Sequence, residues 1–246
     1  MWARRFDPRS AATGAVDAAR RAVGDRLLSA TLYGSAAGGE FDPRTSDVNV
    51  AFVFTSLGVP ELEALRAARR QWVRRRVARP LLLSHDGLMR SLDTFPLEYL
   101  LIQHRHQTLF GDDHFAKLSI ARHALRAAVE RLLRIQMLGL NSSYLALAGS
   151  PSGARHWALR ASTAIAASTS GLLHLMGEPI PAARRELAER CAARLGVDPR
   201  ALALLLPRGG AERAPVPAAR FLESAQTLLH RLLEAAERLD ITPTST

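Results

Sequence analysis

A mixed α/β sheet followed by an all-helical bundle is the fold class this sequence predicts, and three observations predict it. Helical and strand-like segments alternate over residues 1–115. That alternation is the pattern of a sheet covered by helices. Beyond that point the β-branched runs stop, and apolar residues recur at helical spacing to near the end of the chain. The expected domains are therefore residues 1–115 and residues 116–246.

Within the first domain, Val16, Ala19, Val23 and Leu27 share one helical face, which predicts a helix over residues 12–28. Ala30 to Tyr33 forms a short strand. Gly34 to Ser46 is rich in Gly, Asp, Pro, Ser and Thr and reads as a loop. Val48 to Phe54 is β-branched and aromatic, the composition of a buried strand. Pro60 opens a helix, favourable at a first turn, that carries Leu62, Leu65, Trp72, Val73 and Val77 up to Pro80. Leu81 to Leu83 makes another strand, Ser84 to Ser91 a short helix or turn. Leu97 to Gln103 reads as a further strand and Thr108 to Phe110 as a last short one.

In the second domain, Leu118, Leu125, Val129, Leu132, Leu133, Leu140 and Tyr144 mark a long helix, broken at Gly149-Ser150-Pro151. Residues 153–176 form a second helix, rich in small Ala, Ser and Thr. A third runs from Pro181 to Leu195 and stops at Gly196, and a short fourth spans Pro199 to Leu206. Pro207 to Pro217 is a Gly/Pro loop. Phe221, Leu222, Ala225, Leu228, Leu229, Leu232, Leu233 and Leu239 line the last helix. Such a succession is a helical bundle.

Composition narrows the function. The chain has 246 residues and a net charge of +10, and only one of its 33 basic residues is lysine. An arginine-rich surface attracts polyanions, nucleotides and nucleic acid among them. With eight Phe, three Trp and three Tyr, the chain has no clustered stacking platform of the kind single-stranded nucleic acid uses. Salt-sensitive, non-specific polyanion binding is the expectation that charge alone supports. Cys191 is the single cysteine, so neither an internal disulfide nor a multi-thiolate zinc site can form. No apolar run reaches the ~18 residues of a membrane helix, and the first residues lack the apolar core of a secretory signal. A cytoplasmic protein without a membrane partner is expected.

The chemistry is carried by one segment. Leu32-Tyr33-Gly34-Ser35 is followed, after eleven residues, by Asp47-Val48-Asn49-Val50. Side chains alternate along a strand, so Asp47 and Asn49 face one way while Val48, Val50 and Phe52 enter the core. Two oxygen-bearing side chains at the mouth of a sheet can hold Mg²⁺, a cation that prefers hard oxygen ligands. A Gly-Ser turn offers backbone N–H groups and a hydroxyl to phosphate.

This segment resembles the signature of the nucleotidyltransferase superfamily, in its polymerase beta-like and kanamycin nucleotidyltransferase-like branches. There a hydrophobic residue, Gly and Gly or Ser precede a spacer and then Asp-hydrophobic-Asp/Glu-hydrophobic. The resemblance is sharp over residues 30–54 and loose over residues 55–115. It implies Mg-dependent transfer of a nucleotidyl group from a nucleoside triphosphate, ATP first, to a hydroxyl on a small molecule, a protein or RNA. It implies a two-ion Mg²⁺ site built on Asp47, a second carboxylate and a third carboxylate from a later strand, with Gly34 and Ser35 on the phosphates. Here the second position is Asn49, whose amide oxygen coordinates but brings no negative charge. The third falls to Glu98, at the start of the predicted Leu97–Gln103 strand, or to Asp93. An ion pair from Glu98 to Arg105 is the competing expectation. Asp47 and Glu98 are thus the candidate catalytic residues, and Asp47, Asn49 and Glu98 the candidate metal ligands.

Because of Asn49, two functions stand side by side: an active nucleotidyltransferase, and an inactive protein of the same fold that binds nucleotide or a protein partner. Other features are weaker. His104, His106 and His114 could hold a metal, though polar residues around a strand explain them more simply. Arg66, Arg69, Arg70, Arg74, Arg75, Arg76 and Arg79 crowd one segment, as a solvated face or a polyanion dock. Asn141-Ser142-Ser143 is a glycosylation acceptor pattern inside a predicted helix.

Overall fold

A computed structural model of the chain describes residues 6–43, 46–77, 79–147, 150–206 and 217–239. It divides into two compact units. The first comprises Met1–Asp93 and Tyr99–Ser119, the second Thr94–Glu98 and Ile120–Thr246.

The first unit opens with helix α1 (Pro8–Val23), capped by Asp7, whose carboxylate accepts from the Arg9 amide at 2.9 Å. Strand β1 (Leu27–Tyr33) follows after one 3₁₀ turn. The helix therefore ends at Val23, short of the end at residue 28 that the periodicity predicts. Leu27, expected to be helical, begins the strand, and it is buried either way. Strand β2 (Asn49–Phe54) pairs antiparallel with β1, Ala30 opposite Phe52 and Leu32 opposite Val50. These even-numbered residues form one layer of the core with Ala12, Ala15, Val16 and Ala19 of α1. Alanines at the contact let the helix lie close on the sheet, and each buried Phe or Leu adds about 1.5–3 kcal/mol to stability.

The predicted single helix after Pro60 is two short ones, α2 (Val59–Arg66) and α3 (Arg69–Arg74). Trp72 closes the core from α3. It is 4% exposed, stacks on Phe52 with centroids 5.4 Å apart, and donates its Nε1 proton to the Ala15 carbonyl at 3.1 Å. Glu61 fastens the start of α2, accepting from the Gly58 amide and from Arg26, both at 2.8 Å.

Strand β3 (Leu81–Ser84) pairs parallel with β2, Ala51 opposite Leu81 and Phe52 opposite Leu82. Helix α4 (His85–Arg90), capped by Ser84, occupies the predicted helix-or-turn segment. The expected strand over Leu97–Gln103 is instead helix α5 (Pro96–His104). Its apolar run has no alternation to distinguish strand from helix, and Pro96 at the first turn favours the helix. Strand β4 (His106–Gly111) then returns antiparallel to β1, giving a four-stranded mixed sheet in the order β3-β2-β1-β4.

The second unit contains helices α6 (Arg122–Leu147), α7 (Pro151–Leu175), α8 (Arg184–Leu195), α9 (Pro199–Leu205) and α10 (Ala218–Arg238). α6 packs against α7 and α10. Leu125, Val129, Leu133 and Leu140 of α6 are buried, as are Ala158, Ala161, Ile165 and Leu172 of α7 and Phe221, Leu222, Leu229 and Leu232 of α10. Each set repeats every three or four residues, the stripe a core-facing helix needs. The predicted break at Gly149 and the predicted loop over residues 207–216 lie outside the described residues. None of the described helices is long and apolar enough to cross a membrane.

Candidate nucleotide site

The edge of the sheet where β1 ends and β2 begins gathers most of the candidate residues. β1 runs out at Tyr33, the register partner of both Asn49 on β2 and His106 on β4. The chain then turns sharply. Gly34 has φ +74°, a left-handed conformation that only glycine adopts cheaply, and Gly34–Ala36 forms one 3₁₀ turn. The Gly34 amide donates to the Arg105 carbonyl at 3.1 Å, so the chain just ahead of β4 anchors the turn. Its carbonyl accepts from Ala37 at 3.1 Å and Gly38 at 3.0 Å. Arg105 also faces Glu40 of the same loop at 3.6 Å. Arg105 is therefore not the partner of Glu98 that the sequence allowed.

The loop comes back onto β2 under its own constraints. The Ser46 amide donates to the Asp42 carbonyl at 2.8 Å, and the Val48 amide donates to the Arg76 carbonyl at 3.1 Å. The Arg76 guanidinium donates to the Pro43 carbonyl and lies over the Phe6 ring, 5.5 Å from its centroid. Phe6 in turn stacks on Phe41 at 5.5 Å.

Asn49 sits against the turn: a methyl group built on Gly34 would lie 3.2 Å from its Nδ2. Asp47, two residues before it, is exposed, and Ser35 is half-buried. Neither the Asp47 carboxylate nor the Asn49 amide has a hydrogen-bond partner among the described residues. Burial pushes the Tyr33 phenol above its ordinary value, so it stays a neutral hydroxyl at physiological pH.

Glu98 lies on the exposed side of α5, and Thr94–Glu98 clusters with the second unit. Asp93 is exposed ahead of α5. The histidines are engaged in other ways. His106 Nε2 bonds Asp113 at 2.8 Å, and His114 meets His85 edge-on with centroids 5.3 Å apart. Burial alone would raise the Asp113 carboxyl, but the Ala116 amide and His106 hold it below the usual range. Cys191 is buried, which pushes its thiol up to about 12.

A two-ion Mg²⁺ centre asks for several carboxylates converging on one point. Beside the uncharged Asn49 this edge offers the Asp47 carboxylate, and Glu40 of the same loop is turned to Arg105. Among the described residues no three His, Cys, Asp or Glu side chains come together to hold a metal. Among the described residues, the side chains brought together at this edge fall short of the carboxylates a two-ion centre asks for.

Sequence reasoning missed two contributors to this edge, the Arg105 carbonyl and the Arg76 clamp. A backbone acceptor on a distant segment leaves no side-chain signature. Arg76 was legible only as one of a run of arginines.

The mixed sheet, the glycine-serine turn between antiparallel strands and the helical region that follows them in the chain give this protein a fold similar to that of a nucleotidyltransferase. A solved structure with this architecture is spectinomycin adenyltransferase AAD(9) from Enterococcus faecialis, determined with ATP and spectinomycin. It aligns over 89% of this chain and 97% of its own, at 11% identity and a TM-score of 0.53. No protein-family model and no curated protein sequence matches the chain.

Proposed function

We propose that the chain is a nucleotide-binding protein built on the nucleotidyltransferase fold, holding a nucleoside triphosphate, ATP first, without transferring it. One observation carries the reading. Asn49 abuts the Gly34 turn and Asp47 stands two residues ahead of it, their side chains without hydrogen-bond partners among the described residues, and the Ser35 hydroxyl of the turn suits phosphate, yet only Asp47 is charged. Residues 1–115 form the binding domain, with Gly34 and Ser35 on the phosphates. Residues 116–246 form a helical domain offered to a partner or acceptor. A single carboxylate is a poor basis for activating an attacking hydroxyl, because a neutral amide neither balances the charge of a second cation nor accepts a proton.

A second reading keeps the transfer reaction. Its support is the solvent-accessible Asp47 carboxylate and the likeness to a fold whose solved relative was determined with ATP and a small acceptor. Under that reading Mg²⁺ is required, Asp47 and Glu98 are the catalytic carboxylates, and the acceptor is a hydroxyl on a small molecule, a protein or RNA.

Equilibrium binding of ATP together with ATP labelled on its α-phosphate separates the two. Saturable binding with no label moving to any acceptor, with or without Mg²⁺, is the expected result. Mg²⁺-dependent label transfer that is lost in Asp47→Asn establishes the second reading instead. Absence of any ATP binding refutes both.

A further inference from the structure

Arginine is abundant throughout this chain, but in one stretch no acid accompanies it. From Ala64 to His85 there are seven arginines and neither Asp nor Glu. Elsewhere arginines are paired with acids along their own helices. Arg126 meets Glu130 on α6, Arg185 meets Glu189 on α8 and Arg238 meets Glu234 on α10, each pair one helical turn apart. A general preference for arginine accounts for the arginines of the stretch but not for its missing acids.

Part of this stretch surrounds a cleft of about 620 Å³, whose described lining is Ala67, Arg70, Gln71, Arg74 and Arg75. Arg70 and Arg74 are exposed and stand one turn apart on α3. Arg75 is half-buried, and its guanidinium lies so close to Gly14 of α1 that a methyl group there would overlap it. Arg69, Arg70, Arg74 and Arg75 have neither an ion pair nor a side-chain hydrogen bond among the described residues. The flanking acids are committed, Glu61 to Arg26 and Glu63 to Arg66. Asp17, three residues beyond Gly14, pairs with none of these arginines among the described residues. On its other side α3 is held in place: Trp72 stacks on Phe52 in the core, and the Arg76 carbonyl accepts from the Val48 amide.

Unpaired like charges this close repel, and a polyanion laid over them relieves the repulsion. A guanidinium offers phosphate a planar fork of N–H groups. The cleft's described lining holds no aromatic ring, so it lacks the platform on which unstacked bases of a single strand sit. The core of a protein interface is poor in charge and anchored by large apolar side chains, and on α3 the exposed large apolar side chain is Val73 alone. A duplex, with one phosphate charge per ~1.7 Å of axis, matches a surface that offers charge and little else.

We propose that the arginine cleft on α3 docks double-stranded nucleic acid through its phosphodiester backbone, without reading the bases. It involves none of Gly34, Ser35, Asp47 and Asn49, and stands whether or not that edge binds a nucleotide.

The test is fluorescence anisotropy of a labelled DNA duplex of about 20 base pairs titrated with the full chain, between about 50 and 200 mM salt. If Arg69, Arg70, Arg74 and Arg75 each neutralise one phosphate, affinity falls about 150-fold over that range. Replacing Arg70 and Arg74 together by Gln should shrink that fall to about 12-fold, and either substitution alone should shrink it about 3.5-fold. The single variants keep the test open if the double variant does not fold, which circular dichroism checks. The control is Arg185→Gln with Arg190→Gln on α8, which removes the same charge from another part of the chain. It should leave the salt dependence unchanged, and a duplex of unrelated sequence should bind equally well. An equal effect of the α3 and α8 substitutions overturns the proposal, because net charge would then suffice. Tighter binding of a single strand of the same length, or displacement of the duplex by polyglutamate at equal charge concentration, overturns it too. So does the absence of duplex binding at the lowest salt.

Discussion

Two glycines with the same backbone conformation should respond very differently to one added methyl group. Gly34 has φ +74° and Gly111 φ +69°. In either case a side chain in the left-handed region costs about 1–2 kcal/mol. What the methyl meets differs. At Gly34 it finds only Asn49 Nδ2 at 3.2 Å, the tip of a side chain that can rotate away. At Gly111, the last residue of β4, it overlaps the Leu28 carbonyl oxygen and lies 2.9 Å from the carbonyl carbon. Those are backbone atoms of the central strand, so β4 must peel off β1 at that end. Overpacking of this kind adds ~1–3 kcal/mol, for a total of about 2–5 kcal/mol in Gly111→Ala against about 1–2 kcal/mol in Gly34→Ala. Urea unfolding followed by tryptophan fluorescence measures both, with linear extrapolation to water. Buried Trp72 reports on the first unit in a Trp2→Phe, Trp157→Phe background, which silences the other two tryptophans. ATP binding should show the reverse order, because Gly34→Ala disturbs Asn49 and the turn while Gly111→Ala lies at the far end of β1. Equal destabilisation by the two substitutions, or a loss in Gly111→Ala under about 1 kcal/mol, refutes the packing argument, since an overlap with backbone cannot be relieved by rotating a side chain.

Trp72→Phe keeps the ring stack on Phe52 but loses the hydrogen bond to Ala15 and leaves space behind; a loss of ~1–3 kcal/mol is expected, and urea melts followed by circular dichroism should show it. Acid should also destabilise the first unit. Burial, and then the neighbouring His85, hold the His114 imidazole below its ordinary value. The unfolded chain therefore binds more protons there as pH falls, and stability present at neutral pH declines as pH drops below the ordinary histidine value. The depressed Asp113 carboxyl adds a further loss at lower pH, below the ordinary aspartate range. His114→Gln should flatten the first part of the decline in a series of thermal melts and leave the second. An unchanged slope in that variant would show that His114 is not the group responsible.

The strand-turn-strand at the candidate site could be read from local chemistry alone, because Gly34, Ser35, Asp47 and Asn49 lie within sixteen residues and alternate as strands must. The helical half was legible for a similar reason: Phe221, Leu222, Ala225, Leu229 and Leu232 repeat with the period of one helix face. Leu97–Gln103 misled because a short run that is apolar apart from Glu98 and Gln103 suits either structure, and placing Glu98 on a strand followed from that error. The pairing of β2 with β3, the return of β4 to β1 and the Arg105 carbonyl on Gly34 depend on contacts distant in sequence, which residue patterns do not encode.

The path of the chain between the units governs how the protein can be cut. β1 needs β4 on one side and β2 on the other, but the five residues Thr94–Glu98 are given to the second unit before the chain returns to form β4. A fragment truncated at Asp93 would present a naked central strand, an invitation to aggregate. During synthesis that flank of β1 stays open until Gly111 has left the ribosome, so a chaperone that shields exposed strands has its longest opportunity there. Dissection for crystallography or binding work should cut after Ser119, never at the excursion.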